Sequence, residues 1–532
     1  MQLKNRSWPP LFNLAAAVLL LSVLLNFDYP ADRLLTWHLL LPSPDVGFLL
    51  IPLALTAWGG RRYLFRATLL TWAFFLVLRL IRIGDTVVPL YLDRPFNLYI
   101  DSGYLFGLYD LLKTSSHQGD FLLLATGGTL AALGVGAVSW RAWQGAAKAL
   151  ANGRTRALFL GMSGLILGIA LIGAGQPARP LALVRLGQEI GSIPRQIEQQ
   201  QAFGARLEQL ARERQAQPGS LDGLGGADVL LFIVESYGRV VFSQPRYRQT
   251  MAATLATFGD TLARHDFEAV SSYLSSSTFG GSSWLAHGTL EAGVRVGNDL
   301  EDAALLRSSL RPMASFFRKN GYRTVSVMPG TRFAFPQGVY FDYEQVYYAP
   351  HFNYRGPTYG WASMPDQFVL DWVHRQEMLP RHQPLFVRYA LISSHAAFNI
   401  QPPYIPDWET IGDGSLYHDR ETVYFPFYWR NLHQAGEAYL RSLEYEFTLL
   451  GDYLSRYVTA DTLIIILGDH QPPVQLTGPG EPWSVPVHVV SRNTRLLQPF
   501  RQRGYTPGLF PAQPLPHAGM ETFLPAFLQD FR

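Results

Sequence analysis

Apolar residues crowd into the first third of this 532-residue chain, and that asymmetry constrains its fold more than any other feature. Windows at 11–27 (LFNLAAAVLLLSVLLNF), 46–59, 67–83, 121–140 and 157–175 stand out. A helix needs roughly 20 mostly apolar residues to cross a bilayer. Five spans are therefore expected, forming a transmembrane domain over 1–176. The 46–59 window is the shortest, with Leu39 to Leu41 beside it to extend it. The first window has the look of a signal peptide, but four more apolar segments and no clear cleavage site argue for a retained span.

Charge sets the expected orientation. Lys4 and Arg6 precede the first window; Arg61, Arg62 and Arg66 separate the second and third; Arg141, Lys148, Arg154 and Arg156 separate the fourth and fifth. The alternate loops are acidic, with Asp28, Asp32 and Asp45 against Arg33 in the first. The second has Asp85, Asp93, Asp101, Asp110 and Asp120 against Arg94 and Lys113. The positive-inside rule then puts the N-terminus in the cytoplasm. Five spans put everything after about residue 176 outside it, whereas four would reverse the side. The net charge of +3 is small, and no basic block interleaved with aromatics points to nucleic acid. The absence of cysteine excludes disulfides, thiolate metal sites, iron–sulfur clusters and thiol nucleophiles.

Residues 177–226 read as a connector. The stretch LALVRLGQEIGSIPRQIEQQQAFGARLEQLARERQA is amphipathic, either an interfacial helix with Arg185 and Arg195 at the headgroups or a spacer packed on the next domain. QPGSLDGLGGAD follows as a hinge.

From 227 the pattern changes to short apolar runs: VLLFIVES, YRTVSVMPG, LFVRYALISSH and TLIIILGDH. Helical segments separate them, such as 437–456, where Leu440, Leu443, Phe447, Leu450 and Leu454 share a face. Strands alternating with helices predict an α/β domain with a mostly parallel central sheet over 227–532. In such sheets chemistry collects beyond the carboxyl ends of the strands. Three of those ends carry Glu235, His395 and the pair Asp469 and His470. Between the first two, STFGGSSWLAHGTLEAG is a Gly/Ser-rich turn entering a helix, where outward backbone N–H groups suit an anion. Thr278, Ser282 and Ser283 all compete there as a nucleophile beside a metal held by the carboxylates.

The motifs IVES, GGSSWLAHGTLEAG, LISSH and LGDHQPP, in that order behind five apolar windows, resemble the alkaline-phosphatase/sulfatase superfamily. Within it the likeness is to membrane-anchored lipoteichoic acid synthases and related phosphoglycerol and phosphoethanolamine transferases. The resemblance implies metal ligation by Glu235, Asp469 and His470, with the nucleophile as a further ligand. In that superfamily the nucleophile opens a helix ending about ten positions on in a glycine turn; Gly293 then selects Ser283 over Ser282 and Thr278. Many relatives use threonine, so serine is a mild departure. Sulfatases proper need C/S-x-P-x-R; here Ser283-Trp284-Leu285-Ala286-His287 has no proline, and His287 stands at the arginine position. An unmodified serine is expected.

A divalent ion, Mn²⁺ or Zn²⁺ with Mg²⁺ also compatible, would acidify the Ser283 hydroxyl and neutralise phosphoryl charge. The resemblance makes His395 a substrate-side proton donor or phosphate holder, and an imidazole near pH 6.5 suits proton transfer. Arg332, in PGTRFAFPQG, lies where relatives hold the headgroup phosphate. His287 is either a second phosphate contact or a packing residue. Trp284 and His488 read as core residues, and His351 as a loop histidine. The leading expectation is a transferase moving phosphoglycerol or phosphoethanolamine from a phospholipid to an envelope glycan or lipid outside the cytoplasmic membrane. A phosphate- or sulfate-ester hydrolase is the alternative on the same site, and a non-catalytic lipid-sensing regulator the alternative from another class.

Overall fold

The computed structural model describes residues 9–28, 41–103, 118–171, 182–216, 219–332, 336–359, 363–424 and 432–532. The chain divides into two units, 1–90 with 94–197, and 91–93 with 198–532.

The first unit is helical. Its helices are α1 (Pro10–Asn26), α2 (Pro44–Thr56), α3 (Arg61–Leu92), α4 (Gln118–Leu150), α5 (Gly153–Leu171) and the start of α6 (Ala182–Ala216). Helices thus occupy all five apolar windows. Among the described residues one of them, α3, is long and apolar enough to cross a bilayer; α1 and α2 are apolar but shorter. Of the five expected spans, α3 is thus the one that meets the length and apolarity of a bilayer crossing among the described residues. Large apolar side chains nevertheless face outward, among them Leu70 at 69%, Leu80 at 58% and Leu133 at 64% exposure. Several acids counted above as loop charges are internal partners instead. Asp28 pairs with Arg79 at 2.7 Å, Asp45 lies 3.8 Å from Arg82, and Asp85 accepts from Arg185 at 3.0 Å. Asp45 also accepts the Ala182 and Leu183 amides, capping the start of α6. Lys4, Arg6, Asp32, Arg33, Asp110 and Lys113 lie outside the described residues.

The second unit is built on a sheet whose central strand is β1 (Asp228–Val234), buried along its whole length. A strand covered on both faces reads as a continuous apolar run. Leu230, Phe232 and Val234 enter one core with Tyr389 and Ile464; Val229, Leu231 and Ile233 enter the other with Phe386 and Ile465. The remaining strands are β2 (Glu268–Ser275), β3 (Arg323–Met328), β4 (Gln345–Tyr348), β5 (Leu385–Leu391), β6 (Thr462–Gly468) and β7 (Ser484–Ser491). Their order is β2-β7-β6-β1-β5-β3-β4, with short strands at 506–507 and 518–519 flanking β2. The five strands β6, β1, β5, β3 and β4 run parallel; β7 is antiparallel to both β6 and β2. Helices α7 (Pro245–Arg264) and α10 (Leu432–Tyr457) cover one face through Leu255, Phe258, Leu443 and Leu450. The segment of α6 within this unit packs Leu207 and Ala211 against Leu285, Val296 and Leu305.

Register does the positioning. Val234 of β1 pairs with Gly468 of β6 on one side and Leu391 of β5 on the other. The next residues, Glu235, Asp469 and Ile392, therefore leave the sheet side by side. Gly468 has no alternative there, because a Cβ would lie 1.8 Å from the Tyr237 carbonyl oxygen.

Candidate functional site

Ser283 is the first residue of α8 (Ser283–Ala292), and Ser282 before it caps the helix in the left-handed region, φ 61°. The helix ends at Gly293, φ 58°, whose amide bonds the Thr289 carbonyl. This entry points Ser283 at the sheet: its Oγ lies 2.9 Å from Glu235 Oε2, 3.2 Å from Oε1 and 3.1 Å from His470 Nε2. Thr278 is buried beside Ser276, away from that contact set.

Ligand atoms of Glu235, Asp469 and His470 lie within 4.8 Å of one another, and all three residues are buried. Local backbone aims each of them. Asp469 Oδ1 accepts the Ser236 amide at 2.8 Å and the His470 amide at 2.7 Å. That leaves Oδ2 buried with no donor. His470 Nδ1 lies 2.7 Å from the Gln471 carbonyl, to which it can only donate, so Nε2 keeps the lone pair facing the cluster. Oxygen and imidazole donors of this kind suit a divalent cation, and the orphaned Asp469 oxygen is what such a cation satisfies.

The electrostatics agree. Burial pushes Asp469 up, reinforced by the Glu235 charge, to about 7. Burial also opposes ionisation of Glu235, but His395 and His470 outweigh it and hold that carboxyl well below the usual range. His470 overcomes its burial through Asp469 and Glu235 and rises to about 9. In the metal-free centre, then, a proton on His470 supplies the positive charge that two adjacent carboxylates demand.

His287, four residues into the helix, lies beside this cluster. Arg388 donates to its Nδ1 at 2.6 Å, which leaves the ring hydrogen on Nε2, 3.9 Å from Asp469 Oδ2. Burial and then the Arg388 charge hold His287 well below its ordinary value, so the ring is neutral and the contact is no ion pair. Arg388 itself is 3% exposed and pairs with Glu291 at 3.3 Å, and Tyr343 donates to the other Glu291 oxygen at 2.7 Å. Sequence reading missed Arg388, Glu291 and Tyr343. The available signal was an arginine inside LFVRYAL, an otherwise buried strand.

His395 ends the turn after β5. Its amide bonds the Ile392 carbonyl, and its charge is felt at Glu235. Arg332 lies partly exposed in the turn after β3, and no described hydrogen bond or ion pair joins it to the cluster. Trp284 is 48% exposed and donates to Asp299, so the expectation of a buried core residue is corrected: the first turn of α8 turns it outward. His488 is a satisfied core residue, held by Tyr237 at 3.0 Å and Ser271 at 2.7 Å.

No family model matches the chain, and no curated protein matches it. Solved structures do. The lipoteichoic acid synthase LtaP from Listeria monocytogenes is 14% identical, covering 56% of this chain and 70% of its own, with a TM-score of 0.38. The C-terminal periplasmic domain of EcEptC from Escherichia coli, in complex with Zn, is 12% identical over 56% of this chain and 80% of its own, TM-score 0.38. The Streptococcus pyogenes phosphoglycerol transferase GacH, in complex with sn-glycerol-1-phosphate, is 11% identical over 63% and 91%, TM-score 0.35.

Proposed function

We propose that this chain is a metal-dependent, membrane-anchored transferase that moves phosphoglycerol or phosphoethanolamine from a phospholipid to an envelope glycan or lipid through a phospho-Ser283 intermediate. The observation that carries the reading is the Ser283 hydroxyl, held by Glu235 and His470 next to the donorless Asp469 Oδ2. Glu235, Asp469, His470 and Ser283 would hold the ion. When bound, a divalent cation supplies Lewis acidity that lowers the serine pKa and offsets phosphoryl charge.

The remaining work falls to side chains. Ser283 Oγ forms the new bond to phosphorus while the bond to the diacylglycerol oxygen breaks. His395 gives that oxygen its proton, and later takes one from the acceptor hydroxyl that displaces Ser283. The first-turn amides of α8 and the Nε2–H of His287 face the phosphoryl oxygens. Arg332 neutralises the headgroup phosphate from the loop after β3.

The outward apolar side chains of the first unit support a bilayer location, with residues 1–176 as the membrane domain, 177–226 as connector and 227–532 as the catalytic domain outside the cytoplasm. Anchoring confines enzyme and lipid donor to one surface and so raises their effective concentration.

The test is incubation of the full-length protein with labelled phosphatidylglycerol or phosphatidylethanolamine vesicles and Mn²⁺. Diacylglycerol release that requires an added glycan acceptor, with the headgroup phosphate found on a Ser283 peptide, is the expected result. Release without acceptor would make the protein a hydrolase. No release, with full cellular function retained by Ser283→Ala, would make it a non-catalytic regulator.

A further inference from the structure

Behind the turn that carries His395 lie two acidic side chains shut off from water. Asp366 opens α9 (Asp366–Val373), Glu446 sits midway along α10, and both are 0% exposed. Asp366 Oδ2 accepts the amides of Ile392 at 2.7 Å and Ser393 at 2.5 Å, and Ser393 Oγ accepts the Asp366 amide at 3.1 Å. From there the turn is pinned forward: Ser394 Oγ donates to the Glu235 carbonyl at 2.8 Å, and the His395 amide to the Ile392 carbonyl at 3.1 Å.

The other side of the pair is short of donors. Asp366 Oδ1 and both Glu446 oxygens receive no hydrogen bond of ordinary geometry from a protein donor. The helices that carry the two carboxyls, α9 and α10, pack against one another, and each carboxyl feels the other. Among the described residues no lysine, arginine or histidine forms an ion pair with either. The titratable groups facing them are Tyr445, next to Glu446 on α10, and Tyr417 beyond it, with His395 on the held turn. Burial keeps both phenols above their ordinary value and therefore neutral.

Two carboxylates ionised side by side, both buried and with no basic side chain paired to them, repel strongly. Two protonated acids would forfeit the charge-assisted bonds from Ile392 and Ser393. One proton between them avoids both penalties. Burial raises both carboxyls, the Asp366 charge raises Glu446 further, and the Ile392 and Ser393 amides favour the negative charge on Asp366.

We propose that Glu446 and Asp366 share a single proton as an acid–carboxylate pair, and that this pair is the positioning element that sets the 392–395 turn and thereby aims His395. The inference rests on the reading of His395 as a proton donor given under Proposed function.

The experiment uses the full-length protein and three variants, Glu446→Gln, Glu446→Ala and Asp366→Ala. Amide-exchange protection of segment 390–398 is measured in EDTA from mildly acidic to alkaline pH. Diacylglycerol release from phosphatidylglycerol vesicles with Mn²⁺ is measured in parallel. A group whose folded-state pKa is raised contributes its stabilisation at low pH and loses it as pH rises. Wild type should therefore lose protection toward alkaline pH. Glu446→Gln, which keeps an N–H for Asp366 and nothing to titrate, should retain protection throughout. Glu446→Ala and Asp366→Ala should be unprotected at every pH, with kcat down about 10- to 100-fold and KM little changed; Gln should restore kcat. The proposal is overturned if Gln is as unprotected as Ala, or if wild type and Gln show the same pH slope. Should His395→Ala release diacylglycerol at the wild-type rate, the functional reading of His395 falls and the positioning role with it. The exchange profiles would still decide independently whether the proton is shared.

Discussion

Replacing Asp469 with asparagine separates the folding role of this residue from its proposed role as a metal ligand. Oδ1 accepts the Ser236 and His470 amides at 2.8 and 2.7 Å, and an asparagine Oδ1 retains both. Oδ2 has no donor, and its charge is held there against burial and against Glu235, which raise the carboxyl to about 7. An aspartate ordinarily titrates near 3.9, so keeping this one ionised at about pH 8 costs on the order of 4 kcal/mol. Part of that is returned by His470, whose imidazolium loses a partner in the variant. The net relief in metal-free Asp469→Asn is then about 1–2 kcal/mol, or roughly 2–5 °C in melting temperature. The folded-state pKa lies above the unfolded one, so the wild-type penalty is absent below about pH 4 and grows as pH rises through about 7. Melting the full-length protein in EDTA should show the variant matching wild type in acid and exceeding it above neutrality. Saturating Mn²⁺ should reverse the order: an ion at about 100 times its Kd stabilises wild type by about 2.7 kcal/mol and leaves the variant unmoved. A variant that melts below wild type at every pH without metal, or gains as much from Mn²⁺, would refute the reasoning.

Three further variants have expected outcomes. Ser283→Ala should lower diacylglycerol release by about 10³-fold or more, whereas Ser282→Gly should leave release intact and stabilise the fold by roughly 1 kcal/mol, because it relieves the left-handed backbone at φ 61°. Steady-state kinetics and urea melts distinguish the two serines. Arg388→Met strands the buried Glu291 carboxylate and should cost about 3–5 kcal/mol in urea unfolding. It also frees the His287 ring, so the surviving folded protein should show a raised KM for the lipid donor.

How much of this was legible follows from which interactions are local. Four of the seven main strands of the second unit were readable, the clearest because burial on both faces makes an uninterrupted apolar run, as with Leu230 to Val234 and Leu463 to Leu467. The register that aligns Val234 with Gly468 and Leu391 was not readable, since it depends on pairings between residues far apart in sequence. The helical half shows the opposite weakness. Its windows announced helices, but Asp28, Asp45 and Asp85 were counted as loop charges when each faces an arginine brought in from another turn or helix. Charge counting assumes exposure, and these acids are not surface groups.

At the site the same division holds, and it explains why an aspartate and a histidine stand next to one another after β6. Asp469 is aimed partly by the amide of its own neighbour, and His470 by the carbonyl of Gln471 one step further on. Three consecutive residues, 469–471, thus supply backbone groups that orient both side chains. That self-contained geometry survives in sequence as a recognisable word, GDH, whereas support from a distance leaves no such trace. Arg388 reaches His287 across about a hundred positions, and Glu446 meets Asp366 from a different helix. Their surroundings determine their charge states: burial and the Arg388 charge keep the His287 ring neutral, and two buried acids are left with one proton. Residues of this second kind decide whether a correctly spelled motif is also correctly protonated, so the supporting groups, more than the ligands, are where activity and pH response should diverge between chains that share the same four words.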